Sequence, residues 1–133
     1  MSLYYADTSA VIKLLVEETH SKAFAAFYDA QADAEWVSSA LLRIEVTRAV
    51  ARVMPALLPD ARDLLLAFSS IAMDDDIVEA AMDEPDRGLR SLDAIHLATA
   101  RVLGPELDAF VTYDGRLAKA AEDAGLVTLA PED

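Results

Sequence analysis

Short apolar runs alternate along this chain with longer amphipathic segments. Five such runs predict strands, at residues 3–6, 35–38, 71–73, 109–112 and 126–129. Between them, apolar residues recur with the spacing of one face of a helix. Strands that alternate with helices predict one α/β domain, residues 1–133, with a mainly parallel central sheet flanked by helices.

Residues that favour helix ends mark the boundaries of the amphipathic segments. The predicted helix caps are Thr8 or Ser9, Ser38 or Ser39, Asp60, Asp75 or Asp76, and Ser91. The first helix is expected to reach about Val16, and a second to follow at residues 20–30. Pro55 interrupts the long third helix, whereas Gly104 and Gly125 end the last two helices.

The composition is that of a folded protein that stays in the cytoplasm. Hydrophobic residues make up 54% of the 133 residues, which excludes a disordered chain. No apolar stretch approaches the roughly 20 residues that span a bilayer, and no basic segment with a following apolar core opens the sequence. We therefore expect no membrane association. The absence of Cys excludes disulfides and thiolate metal sites.

The charge is strongly negative, because 11 Lys and Arg stand against 24 Asp and Glu, for a net charge of −13. Such a chain repels phosphate backbones, so that generic nucleic-acid binding by a basic face is disfavoured. The acids have two explanations. They keep the protein soluble, or some of them converge on a divalent cation or a cationic partner. Composition does not choose between these.

Two aspartates follow predicted strands. Asp7 follows the first strand, and Asp114 comes shortly after the fourth. In α/β sheets, binding sites lie beyond the carboxyl ends of the strands, so both positions are candidates for function. The alternatives are structural: Asp7 as a helix cap, and Asp114 as a turn residue before Gly115.

Two further acids lie in apolar helices. At about 100° per residue, Glu45 lies some 60° from Leu42 and about 40° from Ala49, on the flank of an apolar stripe. In the alternative, Glu45 lies at the edge of the stripe with its carboxylate reaching solvent, or it pairs with Arg48. Asp93 begins a helix that is apolar nearly all round, where a carboxylate needs a cation or metal. Its alternative role is a favourable first-turn charge.

Histidine and hydroxyl residues complete the candidate chemistry. His96 lies one turn from Asp93 and either touches a ligand or the edge of the site, or is a hydrogen-bonded histidine of the core or its boundary. Only His20 accompanies it in the chain, which argues against a His-rich zinc site. Three hydroxyl residues stand beside the strand-end acids: Thr8, Ser9 and Thr112. They can orient a carboxylate or a metal-bound water, or cap a helix.

Four segments, in this order, resemble the PIN-domain nucleases, and among them the VapC-type toxins of prokaryotic toxin–antitoxin pairs. The segments are YYADTSAVIKLLVEE, LLRIEVTRA, LRSLDAIHLATA and FVTYDGRLAKAAEDAGL. They cover almost the whole chain, from the first predicted strand to the last predicted helix. The resemblance implies a PIN-like fold, in which a parallel sheet is flanked by helices.

The resemblance also implies an acidic cluster that binds Mg²⁺ or Mn²⁺ and hydrolyses RNA. Its members would be Asp7, Glu45, Asp93 and Asp114. It further implies a small antitoxin as inhibitor and a homodimer as the toxin unit. The acidic total is unfavourable for an RNA partner, but five cations in or near the matching segments can offset it locally: Lys13, Arg43, Arg48, Arg87 and Arg90.

Two other functions fit parts of the sequence. A response-regulator receiver domain is also a small acidic α/β fold that binds Mg²⁺. However, it needs adjacent acids after its first strand, and here Asp7 is followed by Thr8. It also needs an acceptor Asp after a middle strand, whereas residues 74–76 are better explained as a cap. The other alternative is an inactive PIN scaffold that only binds RNA or protein, against which the four acids argue.

Overall fold

The centre of the protein is a sheet of five strands that all run parallel. The computed structural model describes residues 1–133, and it orders the strands β3-β2-β1-β4-β5. The strands are β1 (Leu3–Ala6), β2 (Glu35–Ser39), β3 (Ser69–Ile71), β4 (Ala109–Val111) and β5 (Thr128–Leu129). The predicted parallel α/β architecture is confirmed, and each strand lies within two residues of its expected position.

Seven α-helices connect the strands and cover the sheet. They are α1 (Thr8–Ile12), α2 (Ser21–Ala30), α3 (Leu41–Val53), α4 (Leu58–Leu65), α5 (Asp75–Met82), α6 (Ser91–Val102) and α7 (Gly115–Asp123). The expectation that the first helix reaches Val16 is wrong. After Ile12 the backbone tightens, because the N–H groups of Lys13, Leu14 and Leu15 bond to carbonyls three residues earlier. None of the helices is both long and apolar enough to cross a membrane.

Strand β1 is apolar on both faces because both faces are covered. Tyr4 and Ala6 belong to one buried cluster, with residues of α1, α2, α3 and α4, and Tyr5 belongs to a second, with residues of α6 and α7. A strand buried on both sides is typical of parallel sheets. In the second cluster the Tyr5 ring stacks on Phe110 of β4, with 5.1 Å between the ring centroids. This packing fixes β1 between its neighbours.

All five predicted helix caps are wrong. Helix α1 is capped by Asp7 and not by Thr8 or Ser9, and α3 begins after Ala40, which makes no side-chain cap, and not after Ser38 or Ser39. Helix α6 begins after Arg90, which makes no side-chain cap, so that Ser91 is its first helical residue. Helix α4 begins at Leu58, with Asp60 in its first turn. The cap of α5 is Asp74, one residue before the predicted pair, and its Oδ1 accepts a hydrogen bond from the Ile77 backbone N–H at 2.9 Å. Residue types alone could not place these helix starts, because a side chain can cap a helix only where its own backbone is extended.

The run of three aspartates before α5 allows a test of this assignment. We expect Asp74→Ala to lower the free energy of unfolding by about 1 kcal/mol, because the Ile77 N–H loses its acceptor. Asp75→Ala is the matched control, since this exposed residue lies inside the helix. It should change stability by less than about 0.5 kcal/mol. Urea unfolding of both variants measures the difference, and equal effects would contradict the assignment of Asp74 as the cap.

Candidate functional site

Two of the predicted acids lie together because their strands are neighbours. β1 pairs with β4, and Ala6 lies opposite Val111 at the carboxyl ends of both strands. The chain leaves β1 for strands on one side of it and returns to β4 on the other side, so that the direction of winding changes between the two. Ligands of open α/β sheets bind at such a change. Asp7 follows β1 directly, and Asp114 begins α7 after β4.

Asp7 is a buried carboxylate that is fully engaged in hydrogen bonds. Its Oδ1 accepts from the Ala10 N–H at 3.1 Å, as the cap of α1, and from the Ser9 hydroxyl at 2.7 Å. Its Oδ2 accepts from the Thr112 hydroxyl at 2.6 Å, which joins the ends of β1 and β4. Burial raises the pKa of Asp7 above its ordinary value, although these hydrogen bonds oppose the rise. The capping and the candidate site role therefore coexist in one residue.

Asp114, for which the structural alternative was a turn residue, is the cap of a helix. Its Oδ1 accepts hydrogen bonds from the N–H groups of Arg116 and Leu117, each at 3.0 Å, so that it caps α7. Its own N–H donates to the Thr112 hydroxyl oxygen at 3.1 Å. The Thr112 hydroxyl thus contacts both strand-end acids: it donates to the Asp7 carboxylate and accepts from the Asp114 backbone N–H.

Glu45 faces inward from the second turn of α3. The predicted alternative, a pair with Arg48, is wrong, because Glu45 Oε1 instead accepts from the Thr8 hydroxyl at 2.8 Å and lies 2.8 Å from His96 Nε2. Burial by itself raises the pKa of Glu45, but the hydrogen bond and attraction from His96, together with the bond from Thr8, lower it below its usual range. Glu45 is therefore held ionised.

His96 is a buried, fully hydrogen-bonded residue and also an edge of the acidic site. Its Nδ1 lies 2.6 Å from the Tyr5 hydroxyl, which accepts the Ser39 N–H at 3.0 Å. Only 1% of the histidine side chain is exposed. The alternative of a hydrogen-bonded core histidine is thus confirmed, and this histidine also contacts one of the four candidate acids.

Asp93 differs from the other three acids in having no partner. It lies in the first turn of α6, half-buried, and no hydrogen bond contributes to its pKa. Burial and then repulsion from Asp114 and Asp7 raise this pKa, with a smaller contribution from Glu45 and an opposing attraction from His96. The four predicted acids are therefore close enough to interact, although they come from four different helices or their caps.

The four acids have no Lys or Arg partner. The five ion pairs of the structure place no Lys or Arg on any of the four carboxylates. Carboxylate and hydroxyl oxygens are the ligands that Mg²⁺ and Mn²⁺ prefer, and the only nearby imidazole is already bonded on both nitrogens. As the side chains stand, no three acidic or imidazole groups are placed to hold one ion together. The donor chemistry fits a hard cation.

Comparison with known proteins shows which family shares this sequence. The PIN domain family matches residues 4–123, which include all four acids. The chain belongs to the PIN domain family. Ribonuclease VapC35 of Mycobacterium tuberculosis is 41% identical to this PIN domain, over 97% of each chain. The resemblance to VapC-type proteins is thus confirmed.

Solved structures of two related systems share the fold of this PIN domain. One is VapC20 of Mycobacterium tuberculosis, a toxin that cleaves the sarcin-ricin loop. It is 18% identical, with a TM-score of 0.77 over 96% of this chain and 99% of that one. The other is a toxin–antitoxin complex from Klebsiella pneumoniae. Its matching chain is 22% identical, with a TM-score of 0.68 over 100% of this chain and 99% of that one. The arrangement of strands and helices therefore persists at low sequence identity.

Sequence reasoning missed two members of the site. Tyr5 was assigned only to the core, and Ser39 only to a possible cap, yet the Tyr5 hydroxyl and the Ser39 N–H support His96 from behind. A signal did exist for Tyr5, since a tyrosine at the centre of a buried strand needs a partner for its hydroxyl. Which partner that would be depended on a contact across 91 residues.

Proposed function

We propose that this chain is a metal-dependent endoribonuclease toxin, with Asp7, Glu45, Asp93 and Asp114 as the residues that hold Mg²⁺ or Mn²⁺. One observation supports this most directly: interacting carboxylates lie beyond the carboxyl ends of β1 and β4 without a Lys or Arg to neutralise them. Such a group is unfavourable unless a cation joins it. The relatives named ribonucleases support RNA as the substrate class.

Different hydroxyl residues of the chain hold different acids of the site. Ser9 and Thr112 hold the Asp7 carboxylate at the junction of β1 and β4, while Thr8 holds Glu45. Asp93 is free of hydrogen bonds and so is available to a ligand. A bound divalent ion supplies an activated water and charge stabilisation for the scissile phosphate. The acids would position that ion. Asp7 and Asp114 would make the site rigid, because each of them caps a helix.

We expect cleavage of RNA to depend on Mg²⁺ or Mn²⁺ and to leave 5′-phosphate and 3′-hydroxyl ends. A water nucleophile does not need the RNA 2′-hydroxyl, so a cyclic phosphate is not formed. The experiment incubates purified, antitoxin-free protein with structured and unstructured RNAs, with each metal and with chelator. End-labelling of the products identifies their termini.

Two results would contradict this function. Products with 2′,3′-cyclic phosphate would indicate acid–base catalysis by the protein alone, and cleavage that persists in chelator would exclude a metal role. Asp93→Asn protein, purified in the same way, controls for contaminating ribonucleases, because they would cleave regardless of this substitution. Labelling by a phosphoryl donor would instead favour the receiver-domain alternative.

The same acids suggest how an antitoxin would inhibit the site. We propose that a partner segment places an Arg or Lys on the carboxylates, where no basic residue of this chain lies. Apolar side chains stand exposed on α3 and just after α4, including Ile44, next to Glu45 in sequence, and Leu66. They would take the apolar part of such a segment. A cognate antitoxin without any basic residue in its binding segment would contradict this proposal.

Assembly and RNA contact remain proposals of the same kind. We propose a homodimer, and light scattering that shows a monomer at high micromolar concentration would contradict it. Of the five cations proposed to offset the acidic charge, Lys13 is unavailable. Its ammonium bonds to the Thr19 carbonyl at 2.7 Å and to Glu18 at 3.3 Å, and it lies over the Tyr113 ring. Any local contact with phosphate therefore rests on the other four, which are exposed: Arg43, Arg48, Arg87 and Arg90.

A further inference from the structure

We infer that His96 is a positioning residue that holds the Glu45 carboxylate toward the other acids of the site. This inference rests on the proposed function and extends it to a residue outside the four acids. It depends on the geometry of a buried chain of hydrogen bonds that runs from Ser39 through Tyr5 and His96 to Glu45.

This series of hydrogen bonds determines which nitrogen of His96 carries a hydrogen. That nitrogen is Nε2, the one that faces Glu45. The Tyr5 hydroxyl oxygen accepts the Ser39 N–H at 3.0 Å, which leaves its own proton for His96 Nδ1, 2.6 Å away. With Nδ1 as acceptor, a neutral imidazole carries its hydrogen on Nε2, 2.8 Å from Glu45 Oε1. A protonated imidazole donates from both nitrogens. In either form, Nε2 donates to Glu45.

Glu45 needs such support more than Asp7 or Asp114 does. Those two residues are helix caps, and backbone N–H groups fix their carboxylates. Glu45 has a longer side chain, lies within a helix and accepts no backbone hydrogen bond, so only the side chains of His96 and Thr8 hold it. Both partners bond the same oxygen, Oε1, and leave Oε2 without a protein donor. The free oxygen is the one that can reach a ligand.

The histidine itself is held rigidly, as a positioning residue must be. It lies in the buried middle of α6, and its ring meets the Tyr5 ring edge-on, with 5.8 Å between centroids. Partners that orient a metal-binding side chain in this way typically change metal affinity or activity by about 10- to 100-fold when they are removed.

The test measures the dissociation constant for Mn²⁺ by calorimetry, together with the unfolding free energy and RNA cleavage, for matched variants of the full chain. His96→Asn keeps an acceptor near the position of Nδ1 but cannot reach Glu45, whereas His96→Gln places an amide N–H near the position of Nε2. Leu97→Ala is the structural control, because this neighbouring buried residue is apolar and packs in the core cluster around Tyr5 and Phe110. We expect His96→Asn to weaken Mn²⁺ binding by about 10- to 100-fold, and His96→Gln to restore it to within about threefold of wild type.

Leu97→Ala should leave the Mn²⁺ dissociation constant within about twofold of wild type although it lowers stability. If His96→Asn does not fold, Tyr5→Phe takes its place, since without the hydroxyl the neutral ring can move its hydrogen to Nδ1. We expect about a three- to tenfold weaker Mn²⁺ affinity for Tyr5→Phe. The inference would be overturned if His96→Asn, or Tyr5→Phe in its place, bound Mn²⁺ with wild-type affinity. It would also be overturned if the losses of affinity in His96→Asn and His96→Gln merely followed their losses of stability, as in Leu97→Ala. Failure of the proposed function is recognised separately, because then the wild type itself neither binds Mn²⁺ nor cleaves RNA, and the inference falls with it.

Discussion

Replacing Asp93 with Asn should abolish RNA cleavage while making the metal-free protein more stable. Asn keeps the size of the side chain but removes the charge that would hold the metal. We therefore expect cleavage to fall by at least about a hundredfold. Asp93 has no hydrogen-bond partner and is repelled by Asp114 and Asp7, so the native fold loses only an unfavourable charge. We expect a gain on the order of 1 kcal/mol at neutral pH, after allowance for solvent screening of a half-buried group.

The pH dependence of this gain follows from the direction of the pKa shift. Burial and the neighbouring acids raise the pKa of Asp93 in the folded state, so the folded state binds a proton more tightly than the unfolded state. Below the unfolded pKa of about 4, the wild type therefore carries no penalty from this residue. The penalty grows as the pH rises through the folded-state pKa. The difference between Asp93→Asn and wild type should widen over that window and then level off.

Denaturant unfolding of both proteins in chelator and in millimolar Mg²⁺, at several pH values, measures these effects. Metal should stabilise the wild type and should stabilise Asp93→Asn much less. A variant that is less stable than wild type by more than about 2 kcal/mol, yet equally stabilised by metal, would show a structural role for Asp93 instead.

Replacing Asp7 with Ala should lower the unfolding free energy by about 3 kcal/mol as well as abolish cleavage. The substitution removes acceptors from Ala10, Ser9 and Thr112, all at a buried position, and relief of the buried charge offsets only part of that loss. Asp7→Asn is the matched comparison. Its amide oxygen still accepts from Ala10 and Ser9, and its amide group can donate to the Thr112 hydroxyl.

We therefore expect Asp7→Asn to be within about 1 kcal/mol of wild type and yet inactive. Measuring urea unfolding and cleavage for both variants separates the two roles of this residue. If Asp7→Asn cleaved RNA at the wild-type rate, Asp7 would be a structural cap only. If Asp7→Ala were as stable as wild type, the hydrogen bonds from Ala10, Ser9 and Thr112 would stabilise the fold by no more than the buried charge of Asp7 costs.

The order of strands and helices could be predicted from the sequence because it depends on local patterns. The central run at residues 3–6 is apolar on both faces, and the structure covers both faces of that strand. Helix starts were less predictable. Several polar residues compete in the run at residues 74–76, and only the backbone conformation of Asp74 decides which of them caps α5.

The positions of the acids could also be predicted, but their partners could not. Asp7 and Asp114 follow strands, and the chemistry of strand ends made them candidates before the fold was known. The only partner that the sequence suggested for Glu45, as an alternative role, was Arg48 on its own helix, whereas its partner is His96, 51 residues away on a different helix. No local pattern encodes a contact that exists only when α3 and α6 both pack beside β1.

The pairing of β1 with β4 has a consequence for protein synthesis. The first strand emerges early from the ribosome, but Thr112, which joins it to the fourth strand, is 105 residues further along the chain. A nascent chain that ends before this residue has Asp7 without its partner and lacks Asp114 altogether. If the proposed activity is correct, a growing chain is harmless to the cell's RNA until nearly all of it has been translated. The window in which an inhibitor must find its target therefore opens only at the end of synthesis.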